Sequence, residues 1–270
     1  MSRFAVIGQP IAHSASPRIH TAFGEQLGIA LDYERLEVEP EALSERLTEL
    51  HAAGYAGLNV TLPHKQAVAT ECARVSERAR LAEAVNTLSR IDAGWTGDNT
   101  DGEGLLRDLQ DNLGVAVAGK RVLVLGAGGA ARGILPPLLE TGPAELVLSN
   151  RSPWKPETIA EALAAHGPIR PATHMALKGD HFEIVINAMS VGHQGAFPRM
   201  PDGLLAQGAA AYDLSYGAAH TPFAEWARAA GAVAVHDGLG MLVEQAAASF
   251  ALWHGQRPET APIIAMLRAG

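Results

Sequence analysis

One cysteine, Cys72, occurs in 270 residues, so no intramolecular disulfide can form and no cysteine pair marks a zinc site. That suits a reducing compartment, and the expected location is cytoplasmic. Cys72 lies in the helix-like stretch Ala67 to Ala73, where a small buried hydrophobe is the natural reading and a nucleophile is not. Basic charge is also short, with 21 Lys and Arg against 29 Asp and Glu, a net charge of −8. Nucleic acid needs a basic face, so composition argues against it as a partner, while a small anion held by a few converging cations stays open. No apolar run approaches the roughly 18 residues of a membrane helix. A strand-like run, Arg3-Phe4-Ala5-Val6-Ile7-Gly8, begins at position 3 with no signal-peptide pattern before it. There is no Ser/Gly linker and no internal repeat. The oligomeric state is not legible, and a homodimer is one arrangement the chain allows.

What is present is apolar mass and alternation. Apolar residues make up 47%, enough for one large domain or two modest ones. Short β-rich runs are expected at Phe4–Gly8, Asp32–Val38, Tyr55–Thr61, Arg121–Leu125, Glu145–Ser149, Glu183–Asn187, Ala210–Leu214 and, more weakly, Val233–Val235. A short strand pair is expected around Ala93-Gly94. Helices are expected over Pro17–Leu27 with Ser16 as N-cap, over Glu41–Ala53 with Leu43, Leu47 and Leu50 on one face, from about Lys65, over Asp101–Asn112, and over Gly240–His254. Strand–helix alternation predicts an α/β fold with parallel sheets. A change of theme near 101–120 separates polar loop motifs from a nucleotide-binding unit.

That unit opens with Gly126-x-Gly128-x-x-Ala131, placed after an apolar strand and before a helix. Gly126 permits the turn, Gly128 lets the backbone approach a pyrophosphate, and Ala131 allows close helix–strand packing over a positive helix end. About 20 residues on, where an acid would bind a ribose 2′-hydroxyl, stand Arg151 and then Lys155, so the expected cofactor is NADP. Pro136-Pro137 inside the following helix predicts a kink or an early stop.

On the other side, Ser14 and Ser16 sit in a hydroxyl-bearing loop and could donate to a carboxylate, with capping the alternative role for Ser16. His13 in the same loop reads as structural or exposed. Asn59 and Thr61 end a strand, where open α/β sheets place ligands. Lys65 is expected at a helix start, facing the positive dipole end, a mismatch that favours the neutral amine, with an ordinary surface lysine the other reading. Asn86, Thr87 and Asp101 add polar loop groups, with helix capping the other reading of Asp101. Gln245 is an amide on an apolar helix and needs partners.

These strings resemble the shikimate/quinate dehydrogenase family. The resemblance runs over nearly the whole chain: Gly8 to Pro17, Asn59 to Lys65, Ala84 to Thr87, Gly97 to Gly102, Gly126 to Gly133, Asn150-Arg151-Ser152, Tyr212-Asp213-Leu214, Thr221-Pro222-Phe223 and Asp237 to Gln245. It implies an N-terminal α/β substrate domain, 1–104 completed by helices in 239–270, and a Rossmann-like NADP domain, 105–238, with the site in the cleft between them. It implies reversible NADPH-dependent reduction of 3-dehydroshikimate to shikimate, a step toward chorismate and aromatic amino acids. Ser14, Ser16, Thr61, Asn86, Asp101, Tyr216 and Gln245 would hold the substrate, and Lys65 would work with Asp101 on proton transfer. Gly126, Ala127, Gly128, Gly129, Ala130, Asn150, Arg151, Ser152, Lys155, Met189, Leu214 and Gly238 would line NADP, with no metal. The chain departs from the family at Met189, where Thr is common, and at Lys155, where Arg is common, with Pro153-Trp154 just before it. Two other readings stay open: a quinate/shikimate dehydrogenase using NAD or NADP, and a non-catalytic NADP-sensing module.

Overall fold

The computed structural model describes residues 1–190 and 197–269. In chain order the elements are β1 (Ser2–Gly8), α1 (Ser16–Leu27), β2 (Leu31–Glu37), α2 (Leu43–Ala52), β3 (Tyr55–Val60), β4 (Arg74–Val75), α3 (Glu77–Ala82), β5 (Thr87–Ile91), β6 (Gly94–Asp98) and α4 (Asp101–Arg107). There follow β7 (Arg121–Leu125), α5 (Gly129–Glu140), β8 (Glu145–Asn150), α6 (Trp154–Leu163), β9 (Ile169–Thr173), β10 (Phe182–Asn187), β11 (Leu205–Asp213), α7 (Thr221–Ala229), β12 (Ala234–His236), α8 (Leu239–His254) and α9 (Ala261–Ala269). The chain forms two compact units, Met1–Leu105 with Leu242–Gly270, and Leu106–Met241. Among the described residues no helix is long and apolar enough to cross a membrane.

The first unit is built on a six-stranded sheet ordered β2-β1-β3-β5-β6-β4. Strands β2, β1 and β3 are parallel, as the alternation of strand and helix requires. The short strand pair expected around Ala93-Gly94 joins the same sheet and makes it mixed, while β4 pairs parallel with β6. β5 and β6 form an antiparallel hairpin that turns at Gly94, whose φ of +120° suits glycine, and β5 lies antiparallel to β3. Alternation along β1 splits its side chains between two faces. Ala5 and Ile7 pack with Leu43, Leu47 and Leu50 of α2, while Phe4 and Val6 meet Tyr33 and Trp253. On α8, Val243, Ala246, Ala247 and Phe250 pack against Ile19 and Phe23 of α1.

The second unit is a wholly parallel sheet ordered β12-β11-β10-β7-β8-β9. Counted from β7 this is the doubly wound dinucleotide-binding order, with its switch point between β7 and β10. Val122 to Leu125 are fully buried, as a central strand covered on both faces should be.

Several local expectations fail for stated reasons. Ser16 is the first residue of α1, not its cap. Ala15 occupies the cap position without a side-chain bond, and the Ser16 amide donates to Ser14 Oγ two residues back. No α-helix begins at Lys65; the residue sits in a turn before a 3₁₀ segment, Ala67–Glu71, so the dipole argument has no basis. The helix at Asp101 changes to a π turn over Asp108–Asn112. Helix α5 runs through Pro136 and Pro137 to Glu140 rather than stopping early. Strand β9 escaped the sequence pattern because it is an edge strand carrying Pro171.

Candidate active site

Four backbone contacts assemble the polar end of the first sheet. Thr61 N donates to Ile7 O at 2.9 Å and Gln9 N to Leu62 O at 2.8 Å, so the loops after the parallel strands β1 and β3 run side by side. A Cβ on Gly8 would lie 2.5 Å from Thr61 Cγ2, which is why that approach needs glycine. Val85 N donates to Lys65 O at 2.7 Å, and Asn86 N to Asp98 O at 3.0 Å. Because β5 runs against β3 and β6 against β5, the ends of β3 and β6 and the start of β5 lie at one edge. Lys65, Asn86 and Asp101 meet there.

Lys65 Nζ donates to Asp101 Oδ2 at 2.6 Å, with the side chains 14% and 3% exposed. The other carboxylate oxygen accepts from Asn86 Nδ2 at 2.9 Å. That same amide nitrogen faces Thr100 Oγ1 at 2.8 Å and Gln245 Oε1 at 3.2 Å. Its carbonyl oxygen takes the Thr100 amide at 2.9 Å and the Thr87 hydroxyl at 2.8 Å. Asp101 is thus a low-exposure carboxylate with both oxygens occupied, which orients the ammonium. The Asp101 backbone amide donates to Asn99 Oδ1 at 3.0 Å, which fixes the loop before it. Gln245 finds the partners its placement demanded, and Nε2 donates to Leu242 O at 2.8 Å. Ser14 and Ser16 pair through their hydroxyls at 3.1 Å, and Arg35 Nε holds Ser14 O at 2.7 Å. His13 is exposed.

Beneath these groups lies a buried layer centred on Ser249, a residue that the sequence reading did not single out. Ser249 Oγ lies 3.0 Å from Asn59 Nδ2, 2.7 Å from Thr87 Oγ1 and 3.2 Å from Thr100 Oγ1, and it donates to Gln245 O at 3.1 Å. Tyr33 donates to Asn59 Oδ1 at 2.7 Å. The available signal was spacing: Gln245 and Ser249 are four apart and share a face of an otherwise apolar helix.

The second unit gathers the fingerprint and three strand ends at the switch point. Gly126 has φ +104°, and a Cβ there would meet Ala188 O at 2.9 Å and Met189 Cγ at 3.1 Å. Gly128 is different, since a Cβ on it would meet nothing within 4 Å. Helix α5 then starts at Gly129 with its first amides unmatched by any side-chain cap. Leu214 N donates to Asn187 O and Gly238 N to Ser215 O, both at 2.9 Å, which brings the loops carrying Met189, Leu214, Tyr216 and Gly238 together. Asn150 ends β8, Arg151 is exposed just beyond it, and Ser152 follows. Lys155 lies in the first turn of α6, its ammonium 5.2 Å from the ring centre of exposed Trp154. Near Arg151, burial and then that guanidinium push the His174 imidazole down, and His174 Nδ1 lies 3.0 Å from Ser149 Oγ.

Cys72 donates to Val68 O at 3.2 Å, and burial pushes its thiol up to about 11, which fits an inert packing residue. Among the described residues no group of three or more His, Cys, Asp or Glu could hold a metal ion.

Comparison with known proteins bears on the whole chain. The model described as shikimate dehydrogenase substrate binding domain matches residues 6–88, shikimate / quinate 5-dehydrogenase matches 108–195, and shikimate 5'-dehydrogenase C-terminal domain matches 238–268. A Xanthomonas campestris pv. campestris (strain 8004) protein named shikimate dehydrogenase (NADP(+)) is 51% identical over 274 residues, covering 100% of this chain and 96% of its own. Among solved structures, an Ael1 enzyme from Pseudomonas putida superposes with a TM-score of 0.90 at 41% identity, over 99% of this chain and 98% of that one. A Thermus thermophilus shikimate 5-dehydrogenase, solved in complex with NADP(H) and shikimate, gives 0.86 at 34% identity, over 100% and 99%.

Proposed function

The chain belongs to the shikimate dehydrogenase family, and from that premise we propose that it catalyses the reversible NADPH-dependent reduction of 3-dehydroshikimate to shikimate. The observation that carries the reading is the 2.6 Å contact of Lys65 Nζ with a carboxylate whose second oxygen is held by Asn86. A lysine with three donors and a fixed acid partner can pass a proton to and from a ligand oxygen.

The residues of the second unit fit a dinucleotide. Gly128 leaves its backbone open to a close-lying group, the first amides of α5 point where a pyrophosphate would accept them, and Arg151 offers a fork for a 2′-phosphate. Gly126 to Ala130, Asn150 to Ser152, Lys155, Met189, Leu214 and Gly238 would hold it. When bound, NADPH supplies the hydride.

In reduction, Lys65 gives its proton to the substrate oxygen while Asp101 holds the ammonium in line. In oxidation, the unprotonated amine takes the hydroxyl proton. Asn86 and Gln245, through their amides, and Ser14, Ser16 and Thr61, through their hydroxyls, would orient the substrate carboxylate and ring hydroxyls. Tyr216 would add a further contact. Proton transfer of this kind contributes about 10²–10⁴ in rate. A four-way steady-state assay tests the proposal, using shikimate or quinate with NADP or NAD. Shikimate with NADP is expected to dominate kcat/KM; dominant quinate turnover with NAD, or no turnover at all, would overturn it.

A further inference from the structure

An ion-pair chain in the first unit joins the two helices that carry Asp101 and Gln245. After α8 the chain turns back at Gly255, and Arg257 reaches both. Its Nη1 donates to Glu103 Oε1 at 2.7 Å, and its Nη2 to Glu244 Oε2 at 2.8 Å and Glu244 O at 3.3 Å. Glu103 lies in the first turn of α4, two residues after Asp101. Glu244 immediately precedes Gln245.

Each carboxylate is tied a second time. Thr260 donates to Glu244 Oε1 at 2.6 Å, and Arg78 Nη1 to Glu103 Oε2 at 3.0 Å. Arg78 continues to Asp98, through Nε at 2.6 Å and Nη2 at 3.1 Å, and Asp98 Oδ1 receives the Asn99 amide at 2.7 Å. Both sides of the loop that delivers Asp101 are therefore clamped.

Exposed pairs of this kind contribute little to stability, but Glu244 is 5% exposed and its charge needs a partner. A planar fork meets the two carboxylates through two separate nitrogens at a fixed spacing; an ammonium must reach both from a single nitrogen on a flexible stem. We propose that Arg257 is a positioning residue. It sets the spacing between the Asp101 helix and the Gln245 helix, and through them the geometry offered to the substrate. Its kinetic consequence rests on the functional reading above; its structural one does not.

The test compares the full-length chain with Arg257→Lys and Arg257→Met, by shikimate steady-state kinetics and by amide hydrogen exchange over residues 99–107 and 240–248. The expected result for Arg257→Met is a KM for shikimate raised about tenfold or more, since misplacements near 1 Å cost up to about 10². The KM for NADP should stay within about twofold, and exchange should quicken in both segments. Arg257→Lys should fall between, and it carries the test where Arg257→Met does not fold. Unchanged exchange and unchanged shikimate KM in Arg257→Lys would overturn the inference, even if thermal stability falls. Should the wild-type chain fail to turn over shikimate, the functional reading fails, while exchange still decides whether Arg257 fastens the two helices.

Discussion

In the proposed reaction Lys65 carries the proton, and its surroundings suit that role. A flexible four-carbon stem gains direction only when its ammonium is held, and Asp101 holds it from a nearly buried position. Replacing Lys65 with Met should lower kcat by about 10²–10⁴ while changing shikimate Kd much less. Single-turnover kinetics and calorimetry separate the two, and equal losses in both would reject the proton-transfer role. Ser249 tests the layer beneath. Ser249→Ala strips a partner from the buried Asn59 amide and from Thr87, so unfolding free energy should fall by about 1–3 kcal/mol in urea denaturation. Arg151 tests the cofactor. Arg151→Ala should raise the KM for NADP about tenfold and leave that for NAD nearly unchanged, because one charged contact to a 2′-phosphate is lost. Comparable effects on both cofactors would remove Arg151 from the phosphate site.

At the scale of elements, the turn from β7 into α5 uses two glycines for different ends. Gly126 adopts a left-handed φ and sits against Ala188 O, so any side chain there strains the backbone and strikes the end of β10. Gly128 has an ordinary φ of −93° and open space beyond it. Gly126→Ala should therefore destabilise the fold as well as weaken NADP binding. Gly128→Ala should keep its melting temperature within a degree or so and lose NADP affinity alone, because its methyl group projects where the pyrophosphate would lie. Thermal shift with and without NADP distinguishes them. A loss of stability in Gly128→Ala equal to that in Gly126→Ala would show that the space has a structural role.

At the scale of the whole molecule, buried imidazoles link folding to pH. His20 is 1% exposed and stacked 4.3 Å from the Tyr33 ring. Neither ring nitrogen makes a regular hydrogen bond among the described residues; a looser polar contact with Asn59 offsets only part of the burial. Burial pushes its pKa from 6.5 down to about 3, and burial also lowers His254. In this window the unfolded chain binds a proton that the folded chain refuses. Stability is thus full above about 6.5 and is lost as pH falls toward 3. His20 alone should remove about 2 kcal/mol between pH 7 and pH 5. Urea midpoints across that range should fall for the wild type and flatten in His20→Phe. An unaltered slope in the variant would assign the pH dependence elsewhere.

Sequence by itself determined the features that local physics dictates. The period of two along β1, the buried run Val122 to Leu125, the Leu43-Leu47-Leu50 stripe and the glycine turn before α5 each follow from side-chain spacing or backbone freedom, and each can be read without knowing its neighbours. Gln245 was also legible as a buried amide that demands partners, whereas Lys65, Asn86 and Asp101 stood out through the strings that resemble the family. Other features depended on segments far apart in the chain. That β5 runs against β3, that Lys65 lies in a turn without a helix behind it, and that α5 passes two prolines are outcomes of packing. The hydroxyl of Ser249 reaches Asn59 across 190 positions, and Arg257 joins Glu103 across 154. A polar residue on an apolar helix announces that it needs a partner, but only the folded chain supplies one, because the partner's identity is set by which strands the sheet brings to that edge.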